Sequence, residues 1–335
     1  MSGLILITGA TGFIGSTTAK KALEKGYKLR ISVRKEAQIE KVRAILGDFK
    51  ERLDFVVVSD ITNSKAFAGK LNDVDYVLHM ASPLPGPGIN KAEYFGPSVD
   101  GTTAILAEAA KVSSIKKVVI TSSIAALMPM TGPTARKITD MDDQDLVVDK
   151  EADFSGKTDE ETSTQLYHAS KILSNQASWR FMKENSPNFV LVALHPSFVY
   201  GHSLTQTTAE EISGSTNGIL WGAIMAENMA SILSYVHVGD VADAHIRSLD
   251  PKIKESTSYI ITAPAQSWDD VLEVVKRDYP NVPYKLKPGV QTINFTSSTQ
   301  KAEKELGMKW TSIKDTVHEV MDQQLGLLTQ AALKT

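Results

Sequence analysis

The sequence predicts an α/β fold: a doubly wound parallel sheet with a smaller, discontinuous subdomain. Three observations predict it, namely short apolar runs without polar alternation, helical patterns between them, and a glycine-rich turn directly after the first run. Continuous apolar runs are what strands buried on both faces require, and helices on both sides of a parallel sheet bury both faces. Right-handed crossovers then limit the possible strand orders. At 335 residues, 42% apolar and 22% charged, the chain is long enough to bury an ample core and has the composition of an ordinary globular protein.

The first strand is Leu4 to Thr8, and the turn Gly9-Ala10-Thr11-Gly12-Phe13-Ile14-Gly15 opens a helix whose apolar face includes Ala19, Ala22 and Leu23. Further strands are Leu29 to Val33, Phe55 to Val58, Tyr76 to His79, Val118 to Thr121 and Val190 to Leu194. From Pro129 to Thr162 the rhythm breaks in a polar interval with ten acids, from Asp140 to Glu161, which reads as a solvated surface excursion. The next helix starts on the capping-box pattern Thr162 to Gln165 and ends before Pro187. After Leu194 the alternation turns irregular, Gly/Ser/Thr-rich from Ser203 to Gly218, and resumes at Tyr235 to Val238 and Tyr259 to Thr262. This division assigns residues 1–195 and 232–284 to the sheet domain and 196–231 and 285–335 to a substrate-binding subdomain.

Lysine plus arginine (36) nearly balances aspartate plus glutamate (39), for a net charge of −3, and no basic stripe interleaved with aromatics occurs. A nucleic-acid partner is therefore not expected. The absence of cysteine excludes disulfides and thiolate chemistry. No signal peptide and no membrane-spanning run is seen, so the expectation is a cytoplasmic protein, monomer or homodimer, without a membrane partner. None of the seven histidines has ligand spacing, and no metal is expected.

The glycine turn carries the first functional signal. Gly9 permits the tight turn, Gly12 lets backbone approach a pyrophosphate at the helix N-terminus, and Gly15 permits close helix packing, with Thr11, Phe13 and Ile14 completing the loop. Where an NAD site places a carboxylate, the second strand ends Val33-Arg34-Lys35. Arg34 suits a 2′-phosphate, with Lys35 as a second charge, which favours NADP(H). Asp60 and Ile61 follow the third strand and Met80, Ala81 and Ser82 the fourth, at carboxyl ends where such sheets bind ligands. Asp60 fits a helix cap as well as an adenine contact.

Tyr167 and Lys171 are four apart, on one helix face. Chance supplies roughly one such pair in a chain of this composition, so context must supply specificity. That context is Val118 to Ser123, a strand ending in hydroxyls at the edge that bears the glycine loop. In a carbonyl reduction Tyr167 would give a proton to the nascent alkoxide and Ser123 would bond its oxygen, leaving Ser122 to satisfy backbone. A lysine charge about 4 Å away, at an effective dielectric of about 20, is worth roughly three pKa units and brings the tyrosine towards 7 before desolvation opposes it. Leu84, Phe95, Met128, Met130, Phe198, Trp221 and Met225 are candidates for an apolar substrate cleft, although each taken singly fits a core better. His168 reads as structural, and Asp240, between His237 and His245, as an N-cap.

With these motifs in order, followed by His195-Pro196-Ser197-Phe198-Val199-Tyr200-Gly201 and Val236-His237-Val238-Gly239-Asp240, nearly the whole chain resembles the extended short-chain dehydrogenase/reductases. It is most similar to their dihydroflavonol 4-reductase-like group, in particular the aldehyde/ketone (methylglyoxal-type) reductase branch. The resemblance implies a Rossmann-type fold, a Ser123, Tyr167 and Lys171 triad, and NADPH-dependent reduction of a small-molecule carbonyl substrate. It also implies that Thr121, Pro196, Ser197 and Val199, with Tyr167 and Lys171, contact the cofactor. Two alternatives are a nucleotide-sugar epimerase or dehydratase with retained NAD and a non-catalytic dinucleotide sensor. Departures from the family pattern are Ser98-Val99-Asp100-Gly101-Thr102, which lacks an asparagine that many members carry, and His195 in place of another, which leaves room for a small change in cofactor contacts.

Overall fold

Leu4–Thr8 (β1) pairs in parallel with Lys28–Val33 (β2) on one side and Tyr76–His79 (β4) on the other, so that Ile7 lies between Ile31 and Leu78. Leu53–Val57 (β3) lies outside β2, while Lys117–Thr121 (β5), Val190–Pro196 (β6) and Thr257–Ile261 (β9) extend the other half. The order is β3-β2-β1-β4-β5-β6-β9, all parallel, and it reverses at β1, the point where such sheets open a crevice. This computed structural model describes residues 3–63, 65–82, 88–132, 137–140, 146–226 and 232–333. Leu84, Pro83 and the acids Asp142, Asp143 and Asp145 lie outside the described residues.

Side-chain alternation divides each strand between two cores. Ile5, Ile7, Leu29, Ile31, Leu78, Val119 and Val192 pack against helices Phe13–Glu24 (α1) and Val238–Arg247 (α6), with Ala37–Leu46 (α2) beside them. Leu6, Val77, Val118, Ile120 and Leu191 face Phe95–Ala109 (α3) and Asp159–Asn185 (α4). Each such side chain, removed from water, contributes roughly 1.5–3 kcal/mol. A further core joins Asn217–Met225 (α5), Trp268–Asp278 (α7) and Ile313–Ala332 (α9) around the fully buried Trp268. Gln300–Glu305 (α8) contributes Ala302 to the sheet core.

Three local expectations are corrected. The strand expected at Tyr235 to Val238 is Tyr235–His237 (β8), which pairs in parallel not with the main sheet but with Phe198–Tyr200 (β7), a strand the sequence did not announce, and Val238 starts α6 instead of ending β8. Helix α4 begins about a turn early: Thr158 is its N-cap, accepting the Glu161 N–H at 3.1 Å. Asp159, Glu160 and Glu161 occupy its first turn, where they complement the helix dipole, and so are not part of a solvated loop. Finally, His237 rather than Asp240 caps α6, its Nδ1 accepting the Gly239 N–H at 3.1 Å, while the Asp240 carboxylate accepts from Thr311 N and Oγ1.

Candidate active site

The turn after β1 is shaped by close approach. Gly9 has φ +79°, and a Cβ there would lie 2.8 Å from Ala81 N; one on Gly15 would lie 2.0 Å from the Gly9 carbonyl oxygen. Helix α1 therefore sits directly on the turn, and it starts with no side-chain cap and no acid in its first turn. An uncapped, acid-free helix start is a ready anion site. Phe13 and Ile14 anchor it by packing on the sheet core, and Thr11 stands half-buried at its rim. Thr8 Oγ1 accepts the N–H groups of Met80 and Ala81, each at 3.1 Å, which leaves its proton for His79 Nδ1 at 2.9 Å. The carboxyl ends of β1 and β4 are thereby joined.

Arg34 and Lys35 are exposed at the end of β2, and their backbone N–H groups donate to Gln38 Oε1 at 2.8 and 3.1 Å. Asp60 caps no helix: its carboxylate accepts from Thr62 N and Oγ1, bonds that, with help from the Arg34 charge, hold it below the usual range. Ile61 lies against α3 at Gly101. These features suit a dinucleotide with a phosphate beyond the glycine turn.

Ser123, just past β5, accepts the Ala125 N–H at 3.2 Å, and its hydroxyl acts on the Tyr167 phenol, favouring the ionised form. Lys171, one turn along α4, donates from Nζ to Ser82 Oγ at 2.8 Å and lies 5.2 Å from the Tyr167 ring centroid. His79, Ser82, Thr121, Ser122 and Lys171 border one small cavity at the ends of β4 and β5. Serine, tyrosine and lysine thus meet at the edge that carries the glycine turn. Ser82, expected as a cofactor contact, is also the partner of the lysine.

The expected lowering of the Tyr167 pKa is not found. Burial pushes the phenol above its ordinary value, and the Ser123 bond offsets this only in part. The same burial pulls the Lys171 ammonium down to about 8. The expectation named desolvation as the opposing effect without sizing it, and here desolvation dominates both groups.

Around the triad, the cleft candidates separate. Phe95 and Met130 pack in one cluster with Tyr167, Met128 and Phe198 lie in the neighbouring cluster that follows Ser123, and Trp221 and Met225 belong to the α5, α7 and α9 core. Phe154, unmarked by the sequence reading, is buried beside Tyr167 and meets Phe95 edge-on, with ring centroids 5.5 Å apart. An apolar residue inside an acidic interval was the available signal. Pro196 ends β6 opposite Ile261, Ser197 donates its N–H to Ile261 O and accepts from Thr262 Oγ1, and Val199 is buried in the sheet core. Ser122 Oγ is buried with no partner among the described residues, contrary to the expectation that it bonds backbone. His168 serves structure as expected, through Nε2 and the Met128 carbonyl at 3.0 Å. The Nδ1 of His195 lies 3.1 Å from the Ser123 carbonyl oxygen. No group of three or more metal-ligating side chains occurs among the described residues, nor any helix long and apolar enough to cross a membrane.

Residues 5–261 match the NAD dependent epimerase/dehydratase family. The chain is 46% identical to ketoreductase sphI of Aspergillus fumigatus over 327 residues, covering 96% of this chain and 97% of that one. It is 27% identical to ketoreductase CTB6 of Cercospora nicotianae, covering 97% and 95%. Among solved structures it is similar to yeast methylglyoxal/isovaleraldehyde reductase Gre2 complexed with NADPH, at a TM-score of 0.81 and 24% identity over 98% of this chain and 100% of the other.

Proposed function

Since the chain belongs to the NAD dependent epimerase/dehydratase family, and within it to the dihydroflavonol 4-reductase-like group of extended short-chain dehydrogenases, we propose that it is an NADPH-dependent carbonyl reductase. It reduces an aldehyde or ketone to the alcohol. One observation carries this reading: Ser123, Tyr167 and Lys171 come together at the sheet edge where the glycine turn begins. The relative named a ketoreductase at 46% identity supports the reaction class, and a fold relative complexed with NADPH supports the cofactor.

When bound, the reduced nicotinamide supplies the hydride. The start of α1, with Gly9, Thr11, Gly12 and Gly15, would hold the pyrophosphate, and Arg34 with Lys35 the 2′-phosphate. Asp60 and Ile61 would face the adenosine, and Met80, Ala81, Ser82, Thr121, Pro196, Ser197 and Val199 would line the path to the nicotinamide. Ser123 donates a hydrogen bond to the carbonyl oxygen, favouring the developing negative charge. Tyr167 gives its proton to that oxygen; because burial holds the phenol protonated, the donor is loaded at neutral pH. Lys171, with a pKa of about 8, is about nine-tenths charged at pH 7 and stabilises the phenolate that donation leaves behind. The expected subdomain would cover the substrate, and its described helices α5 and α9 pack on α7, which the sequence division places with the sheet domain.

The test mixes purified protein with NADPH, and separately NADH, against aldehydes, 2-oxoaldehydes, diketones and aryl ketones, with Tyr167→Phe in parallel. NADPH-preferring absorbance loss, reduced at least a thousandfold by the substitution, is the expected outcome. Absence of turnover with every carbonyl sinks the reading, with co-purified NAD pointing to nucleotide sugars and bare dinucleotide binding to a sensor.

A further inference from the structure

We propose that His195 is a positioning residue, which fixes the backbone of Ser123 so that the serine hydroxyl meets the Tyr167 phenol; this rests on the reductase reading. The β5–β6 ladder ends with Ser122 N donating to Leu194 O at 2.8 Å. Beyond that point β5 leaves the sheet, and the next tie between the strands is the His195 side chain to the Ser123 carbonyl, at 3.1 Å. A carbonyl only accepts, so His195 Nδ1 bears the proton. The imidazole is fully buried, and burial outweighs the pull of that carbonyl and of Asp140, holding its pKa down to about 4. It is therefore a neutral, single-tautomer donor at working pH.

The same carbonyl accepts the Ala126 N–H at 2.9 Å, and Ser123 Oγ accepts the Ala125 N–H. These three bonds fasten Ser123 at both its carbonyl and its hydroxyl oxygen, and that hydroxyl acts on the phenol. His195 Nε2 is buried and has no partner among the described residues. An apolar residue would fill the site without that unmatched acceptor, so the polar benefit of the imidazole lies in the Nδ1 bond.

The experiment compares His195→Asn and His195→Leu, each with and without Ser123→Ala, reading kcat, carbonyl KM, NADPH Kd and melting temperature. An asparagine amide can present an N–H near the Nδ1 position, so His195→Asn should retain kcat within about threefold, while His195→Leu should lose about ten- to a hundredfold with NADPH Kd unchanged. In the Ser123→Ala background the leucine substitution should cost nothing further, because its effect passes through the serine. An equal loss in that background, a matching loss of NADPH affinity, or wild-type kcat in His195→Leu overturns the proposal. A readout independent of turnover accompanies it: 15N-histidine NMR, assigned by the resonance missing from His195→Asn, should show an Nδ1–H tautomer that stays neutral to about pH 5. An Nε2–H tautomer overturns the positioning role even where the enzyme is active, whereas the expected tautomer in a protein that turns over no carbonyl isolates the failure to the reductase reading.

Discussion

Acidification from about pH 7 should destabilise the protein through its histidines before most carboxylates titrate. His79, His195 and His245 are buried, and desolvation holds each at about 4 against an ordinary 6.5. In the unfolded chain each gains a proton as pH falls through about 6.5, whereas in the native fold it resists until about 4. The unfolded state therefore binds more protons across that window, and stability fully present above pH 6.5 drains away as pH falls towards 4. Integrated over three sites, the loss is about 4 kcal/mol by pH 5.5 and about 8 kcal/mol by pH 4.5. With 335 residues, the entropy of unfolding is about 0.7 kcal/mol per degree, so the melting temperature should drop by about 6 and about 11 °C. The assay is thermal unfolding followed by circular dichroism in buffers of matched ionic strength. His245→Gln should remove about a third of the slope: His245 donates from Nδ1 to Val241 O and accepts at Nε2 from Thr121 Oγ1, both at 2.7 Å, and has no place in the proposed chemistry. A melting temperature constant to about 2 °C down to pH 5 would refute the assignment of these histidines as neutral and buried.

Gln38→Glu keeps an acceptor for the N–H groups of Arg34 and Lys35 but adds a negative charge beside the proposed 2′-phosphate. At about 5 Å and an effective dielectric of about 20 that charge costs about 3 kcal/mol, so the NADPH to NADH ratio of kcat/KM should fall about a hundredfold; an unchanged ratio means the phosphate lies elsewhere. Gly15→Ala places a methyl 2.0 Å from the Gly9 carbonyl oxygen, and urea unfolding should register a loss of about 3 kcal/mol or more together with lost NADPH binding. Wild-type stability in that variant would contradict the packing of α1 on the turn. Phe154→Ala removes an edge-on partner of Phe95 beside Tyr167 and should raise KM for aryl ketones about tenfold while kcat holds, with equal KM values counting against Phe154 as a cleft wall.

What could be read in the sequence follows from how local each signal is. The strands of the main sheet were legible because most of them are buried on both faces, so their apolar runs are uninterrupted, as in Ile5 to Ile7 and Val118 to Ile120. Strand β7 was not, since it is three residues long and follows β6 after Ser197 with no turn signal between them. Gly9 and Gly15 could be read because backbone approach leaves only glycine possible. The start of α4 was misread because Thr162 offers the same capping chemistry as Thr158, and only the tertiary fold decides between them. Phe154 and His195 touch neighbours far off in the chain, Phe95 and Ser123, and no periodicity encodes such a pairing. The direction of the Tyr167 shift depends on how completely water is excluded, a property of the assembled walls and not of the Tyr-Lys spacing.

The sheet order imposes a schedule on biosynthesis. A ribosome delivers β1 to β6 in sequence, but the strand that closes the outer edge of β6 is Thr257–Ile261. Until those residues emerge, β6 presents an open ladder along Leu191 to Leu194, all of it buried in the finished protein. An apolar edge in that state is a template for pairing with other nascent chains. Chains released early, by a stalled ribosome or a stop codon ahead of Ile261, should therefore collect in the insoluble fraction instead of yielding a smaller soluble domain.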